Sequence, residues 1–107
     1  MNMTVIHIAK DFSRTPAGRY VTDGDYSGEK FREQLLLPAL RDHAAETITV
    51  DLDDTAGFGS SFLEEAFGGL VRLGFQPSEL RQRLRIQSSR PSYPVRIWDY
   101  IRDAAKS

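Results

Sequence analysis

Residues 47–53, TITVDLD, alternate without a break: Ile48, Val50 and Leu52 fall on one face, Thr47, Thr49, Asp51 and Asp53 on the other. A period of two predicts a strand in a sheet that is covered on one side only. Leu84 and Ile86, set against Arg83, Arg85 and Gln87, predict a second strand of the same kind. The short β-rich run TVIHIA at 4–9 predicts the first strand of the chain. RYVT at 19–22 predicts one paired with it, because KDFSRTPAG between them holds Pro16 and Gly18 and can reverse the chain.

Elsewhere the spacing is helical. In residues 28–43, Phe31, Leu35 and Ala39 recur every four positions with Leu36 and Leu40 alongside, and Ser27 stands where an N-cap belongs. Pro38 lies inside this stripe, where its ring and missing N–H predict a kink. Phe62, Leu63, Ala66, Phe67, Leu70 and Leu73 form a second stripe that stops at Gly74. Pro77 and Ser78 open a connector, and residues 94–105 predict a last helix with Val95, Trp98 and Ile101 inward. The order strand, strand, helix, strand, helix, strand, helix with right-handed crossovers predicts an α/β fold. The expected form is a four-stranded mixed sheet with helices mainly on one face, in a single domain over 1–107. The polar rows Asp51, Asp53 and Arg83, Arg85 would share the open face, where adjacent strands would pair them for about 0.2–1 kcal/mol each.

A chain of 107 residues is one domain by length, and 40% hydrophobic with 27% charged residues is ordinary globular composition. The net charge of −1 provides no general field for nucleic acid or an acidic membrane. Without cysteine there is no disulfide, thiol nucleophile or thiolate metal site, in keeping with a reducing compartment. MNMTVIHIAKD lacks the basic start and long apolar core of a signal peptide, and no apolar run nears the ~18 residues of a membrane span. A cytoplasmic location and no membrane role are expected. Arginines at 72, 81, 83, 85, 90 and 96 make the carboxyl-terminal half basic, but aromatics are not interleaved with them on one strand face. A solvated face is expected there, with nucleic-acid binding as a lesser alternative.

Conventional chemistry is sparse. His7 and His43 have no metal-type spacing. Asp51, Asp53 and Asp54 beyond a strand end could hold Mg²⁺, and Gly57 with Gly59 could form an anion-binding nest, which keeps a nucleotide- or anion-binding module or enzyme open. P-loop, dinucleotide and nucleophile-elbow motifs are missing, so no catalytic residue, metal ligand or cofactor is assigned. Ser61 followed by Glu64 fits a capping box worth ~1 kcal/mol. A helix start is also where a phosphate is best accommodated, so cap and switch both stand for Ser61. Gly68 and Gly69 inside a helix cost about 1 kcal/mol each against alanine. They permit close approach either of this domain's own elements or of an outer partner, since Gly68 shares a polar side with Glu64, Glu65 and Arg72.

VDLDDTAGFGSSFLEEAFGGL, with the earlier SGEKFREQLLLPAL, resembles the bacterial STAS-like domains of unknown function, relatives of the anti-sigma factor antagonists. The likeness runs over residues 6–85. It implies a small regulatory protein without catalysis of its own, acting through a turn and helix at 57–72. The partner surface would be Gly57, Phe58, Gly59, Ser60, Ser61, Glu64, Glu65, Gly68 and Arg72. The implied partner is a histidine-kinase-like ATPase in a partner-switching pair, and self-association is left open. In the antagonists the turn carries Asp-Ser-Ser-Gly, and its second serine is phosphorylated. Ser60 and Ser61 match that pair, which makes Ser61 the candidate phosphoacceptor, while Gly59 stands for the aspartate and Phe62 for the glycine.

Overall fold

The computed structural model describes residues 3–42 and 46–106. Strand β1, Met3–His7, leads into a wide π turn at Ile8–Phe12, where the Ser13 N–H reaches back five residues to the Ile8 carbonyl at 2.8 Å. Helix α1 runs without interruption through Gly28–Phe31, a π turn at Arg32–Leu36, and Leu37–Asp42. Strand β2 is Thr47–Asp51. Helix α2 follows through Ser60–Leu63, a π turn at Glu64–Gly68, and Gly69–Arg72. Then come α3 at Pro77–Arg83, β3 at Leu84–Gln87 and α4 at Ser92–Ala104.

Among the described residues the sheet has three strands, all parallel, in the order β1-β2-β3. This corrects the four-stranded mixed sheet expected from the pattern. The missing strand is RYVT: Arg19 and Tyr20 form a bend and Val21–Asp23 a single 3-10 turn. Its amides are taken by carboxylates instead of a neighbouring strand, Tyr20 N–H by Asp23 at 2.8 Å and Val21 N–H by Glu29 at 2.9 Å. Arg83, read as strand, closes α3, a helix that Pro77 at its first turn begins.

Register explains the two faces. Thr4, Ile6, Ile48, Val50, Leu84 and Ile86 align on one side, and Ile48, Val50 and Leu84 there are almost fully buried. Val5, Thr49 and Arg85 align on the other, as do His7, Asp51 and Gln87. Val5, His7, Arg85 and Gln87 are exposed, while Thr49, flanked on both sides in the central strand, is not. The helices pack on the apolar side, with α2 against both α1 and α4. Ser27 caps α1 as its position predicts, accepting the Lys30 N–H at 3.1 Å. The helix continues through Pro38 because the π turn one turn earlier loosens the backbone that a proline ring would strike. Among the described residues no helix is long and apolar enough to cross a membrane.

Candidate functional site

The turn after β2 is fixed from both sides. The Leu52 N–H extends the ladder to the Gln87 carbonyl at 2.9 Å, and the Asp53 N–H bonds the Asp51 carboxylate at 2.9 Å. Gly57 has φ +129, a backbone region that L side chains rarely adopt, so this bend needs glycine. Phe58 is buried between Phe62 at 5.5 Å and Tyr93 at 5.3 Å, and its N–H donates to the Tyr93 hydroxyl at 3.3 Å. Gly59 is the extended N-cap residue, so Ser60 and Ser61 form the first turn of α2 with both side chains exposed.

The N-cap is Gly59, which makes no side-chain cap bond, and this overturns the capping box expected from Ser61 and Glu64. Ser61 lies two residues past the N-cap, inside the helix, and Glu64 is engaged by charge instead. Its carboxylate takes Arg72 Nη1 at 2.7 Å, Arg72 Nη2 at 3.1 Å and Arg19 Nη1 at 2.6 Å. Two guanidiniums outcompete one neutral amide. Hydrogen bonds from Arg72, then from Arg19, hold the Glu64 carboxyl below its ordinary value, and both arginines are raised in return.

Ser61, Glu64, Glu65, Gly68 and Arg72 follow helical spacing and share one stripe of α2. Glu65 is buried and receives Arg32 Nη1 at 2.7 Å on its carboxylate and at 2.6 Å on its own carbonyl. Arg19 and Arg72 also reach its carboxylate, at 3.3 and 3.4 Å. Three cations thus surround the two carboxylates that the sequence presents as an acidic pair. The Arg32–Glu65 bridge joins the π turns of α1 and α2.

Both glycines of the helix now have an intramolecular reason. A Cβ on Gly68 would strike the Glu64 carboxylate, and one on Gly69 the Arg32 guanidinium. Gly68 is buried under the Glu64–Arg72 bridge and shapes the surface without forming it. Phe62 turns its ring fully into the core against Phe31 and Phe58, so the large residue at this position leaves the outer surface of the turn clear. Arg19 and Arg32 escaped the sequence reading. Their partners lie 45 and 33 residues away and no local spacing announces them.

The acids after β2 part company. Asp51 pairs across the sheet with His7 Nδ1 at 2.9 Å, Asp53 accepts the Ser89 N–H and hydroxyl at 2.8 and 2.9 Å, and Asp54 is exposed. Those bonds from Ser89 keep the Asp53 carboxyl below its ordinary value. Among the described residues no three metal-ligating groups converge. The expected aspartate–arginine ladder does not form, because Asp51 faces His7 and Gln87 in register. Arg83 donates to the carbonyls of Leu40 and Glu46, Arg85 to those of Arg81 and Leu84, and Arg81 stacks on Trp98 at 5.1 Å. His43 lies outside the described residues. A cleft of about 140 Å³ opens between the ends of β2 and β3, lined by Asp53, Asp54, Ser89, Arg90 and Tyr93 among others.

A family model described as a STAS-like domain of unknown function matches residues 27–94. The match runs from the cap of α1 into α4 and takes in the whole turn and polar stripe. No curated protein and no solved structure matches the chain.

Proposed function

We propose that this chain, which belongs to the family of STAS-like domains of unknown function, is a non-catalytic regulatory domain that binds a protein partner through the surface of residues 57–72. The partner we propose is a histidine-kinase-like ATPase, with Ser61 as phosphoacceptor and Ser60 beside it. The observation that supports this reading is the pair of exposed hydroxyls on a turn underlain by the buried rings of Phe58 and Phe62. A surface that spends neither serine on capping is suited to recognition. Beside the serines, the mixed charge of Glu64, Arg19 and Arg72 offers a partner both signs. Phosphate there would add about −2 charge and change which surface fits. The test is binding of folded Ser61→Ala and Ser61→Asp variants to the histidine-kinase-like ATPase encoded nearest this gene. Tight binding by Ser61→Ala and at least about tenfold weaker binding by Ser61→Asp are expected, a difference of ~1.4 kcal/mol. Equal affinities for parent and both variants would refute the proposal.

A second reading rests on the cleft. It sits beyond the carboxyl ends of two parallel strands, where open α/β sheets bind ligands, and its lining is polar. This is the anion or nucleotide module, built on Asp53, Ser89, Arg90 and Tyr93 more than on Asp51, which is turned to His7. Thermal shift with nucleotides, with and without Mg²⁺, separates the two, since a ligand that binds only the folded state raises the melting temperature.

A further inference from the structure

Arg19 ties a surface segment to the helix that carries the candidate phosphoacceptor. The segment folds on itself and on α1 through Ala17 N–H to Tyr26 O at 3.0 Å, Gly28 N–H to Gly18 O at 2.9 Å and Glu29 N–H to Arg19 O at 3.0 Å. It displays Tyr20, Val21 and Tyr26, three of the most exposed large apolar residues of the domain. From its middle the Arg19 side chain reaches α2 and bonds Glu64 and Glu65.

The three guanidiniums of the cluster differ in freedom. Arg32 is buried and bonds a backbone carbonyl as well as Glu65. Arg72 is the more exposed, at 44% of its side chain, but it grips Glu64 with two nitrogens from within the same helix. Arg19 is 31% exposed and shares one nitrogen between Glu64 and Glu65, carboxylates that Arg72 and Arg32 also neutralise. Glu64 would therefore keep a partner if Arg19 left. Ser61 stands on the same stripe one turn from Glu64 and Glu65, at the ~5–6 Å between Cβ atoms typical of such neighbours. A phosphoserine there would offer about two negative charges and three acceptor oxygens, against a shared single charge on Glu64.

We propose that Arg19 is the residue through which a phosphate on Ser61 is read: its guanidinium exchanges Glu64 for the phosphate, and the segment bearing Tyr20, Val21 and Tyr26 moves with it. This rests on the reading of Ser61 as phosphoacceptor. In the modification itself the Ser61 Oγ bonds the γ-phosphorus of a nucleoside triphosphate. The bond to the bridging oxygen breaks, the nucleoside diphosphate leaves with that electron pair, and the hydroxyl proton passes to solvent. The exchange then alters the apolar surface that a partner meets.

The test installs phosphoserine at position 61 during synthesis of the full chain, so its result does not depend on any kinase. Whether an ATPase makes this phosphate is decided separately by the binding experiment above. Hydrogen exchange is followed at Gly28 and Glu29, whose amides bond the segment, and the phosphate is titrated by phosphorus NMR in the parent and in Arg19→Gln and Arg19→Lys. Phosphoserine should raise exchange at these amides about three- to fivefold, the effect of losing one partly exposed ion pair. Arg19→Gln should raise the second phosphate ionisation by about half a pH unit, with Arg19→Lys restoring part of it. Unchanged exchange on phosphorylation overturns the proposal, and so does a phosphate titration that responds to Arg72→Gln and not to Arg19→Gln.

Discussion

Replacing Glu65 by leucine tests the packing of α1 on α2 at its most charged point. Arg32 and Glu65 are only 9% and 10% exposed at their side chains, and their bond is 2.7 Å long. Removing one partner of such a pair leaves a buried charge without its counter-ion, which costs about 3–5 kcal/mol. The carbonyl of Glu65 stays in place to accept Arg32, and Glu33 remains on Arg32 Nε at 3.0 Å, so the lower end, about 3 kcal/mol, is expected. For a domain near 100 residues that is a fall of roughly 12–24 °C in melting temperature. Urea unfolding followed by circular dichroism measures it, with an unchanged m-value as the check that the denatured state is comparable. Arg32→Met combined with Glu65→Leu removes both charges, and Gly69 leaves room for the methionine. The double variant should return to within ~1 kcal/mol of the parent. A loss below ~1 kcal/mol in Glu65→Leu, or a double variant no better than the worse single one, would refute the reasoning.

Other expectations follow from named contacts. Ser61→Ala should change stability by less than about 0.5 kcal/mol, against the ~1 kcal/mol of a true cap, because the helix is not capped by it. Gly28→Ala should destabilise by about 1–3 kcal/mol in the same urea assay, since a Cβ there meets the backbone carbonyl of Phe62, which cannot step aside. Glu64 is held below its ordinary 4.5 by Arg72 and Arg19, so its contribution is complete above that value and is lost as pH falls through the lower folded one. Glu64→Gln should accordingly flatten the acid limb of the stability–pH curve below about pH 4.5.

Where local pattern and packing agreed, the sequence was legible. TITVDLD and LRIQ alternate because one face meets the helices, and the stripe from Phe62 to Leu70 is apolar because it is the buried side of α2. RYVT misled because its three β-formers, Tyr20, Val21 and Thr22, say nothing about burial: Tyr20 is 50% and Val21 53% exposed, and nearby carboxylates satisfy their amides in place of a neighbouring strand. Ser61 and Glu64 had cap spacing, but which residue becomes N-cap depends on where the turn releases the chain, and the burial of Phe58 places that at Gly59. Of the candidate site, the serine pair came from the family resemblance, and Glu64 and Arg72 from the polar side they share with Gly68, all within one segment. Arg19 and Arg32 were found by neither, since only the folded chain brings them there.

The all-parallel sheet has a consequence in time. Its two pairings join residues far apart in the chain, 44 positions from His7 to Asp51 and 84 − 48 = 36 from Ile48 to Leu84. No ladder hydrogen bond can form through a tight hairpin, so long loops must close before the sheet begins to stabilise them. During synthesis β1 and β2 can pair only once residue 51 has emerged, and the sheet is complete only once residue 87 has. A nascent chain stopped short of β3 therefore presents an open β2 edge, and it is at this stage that the domain is most exposed to misassociation.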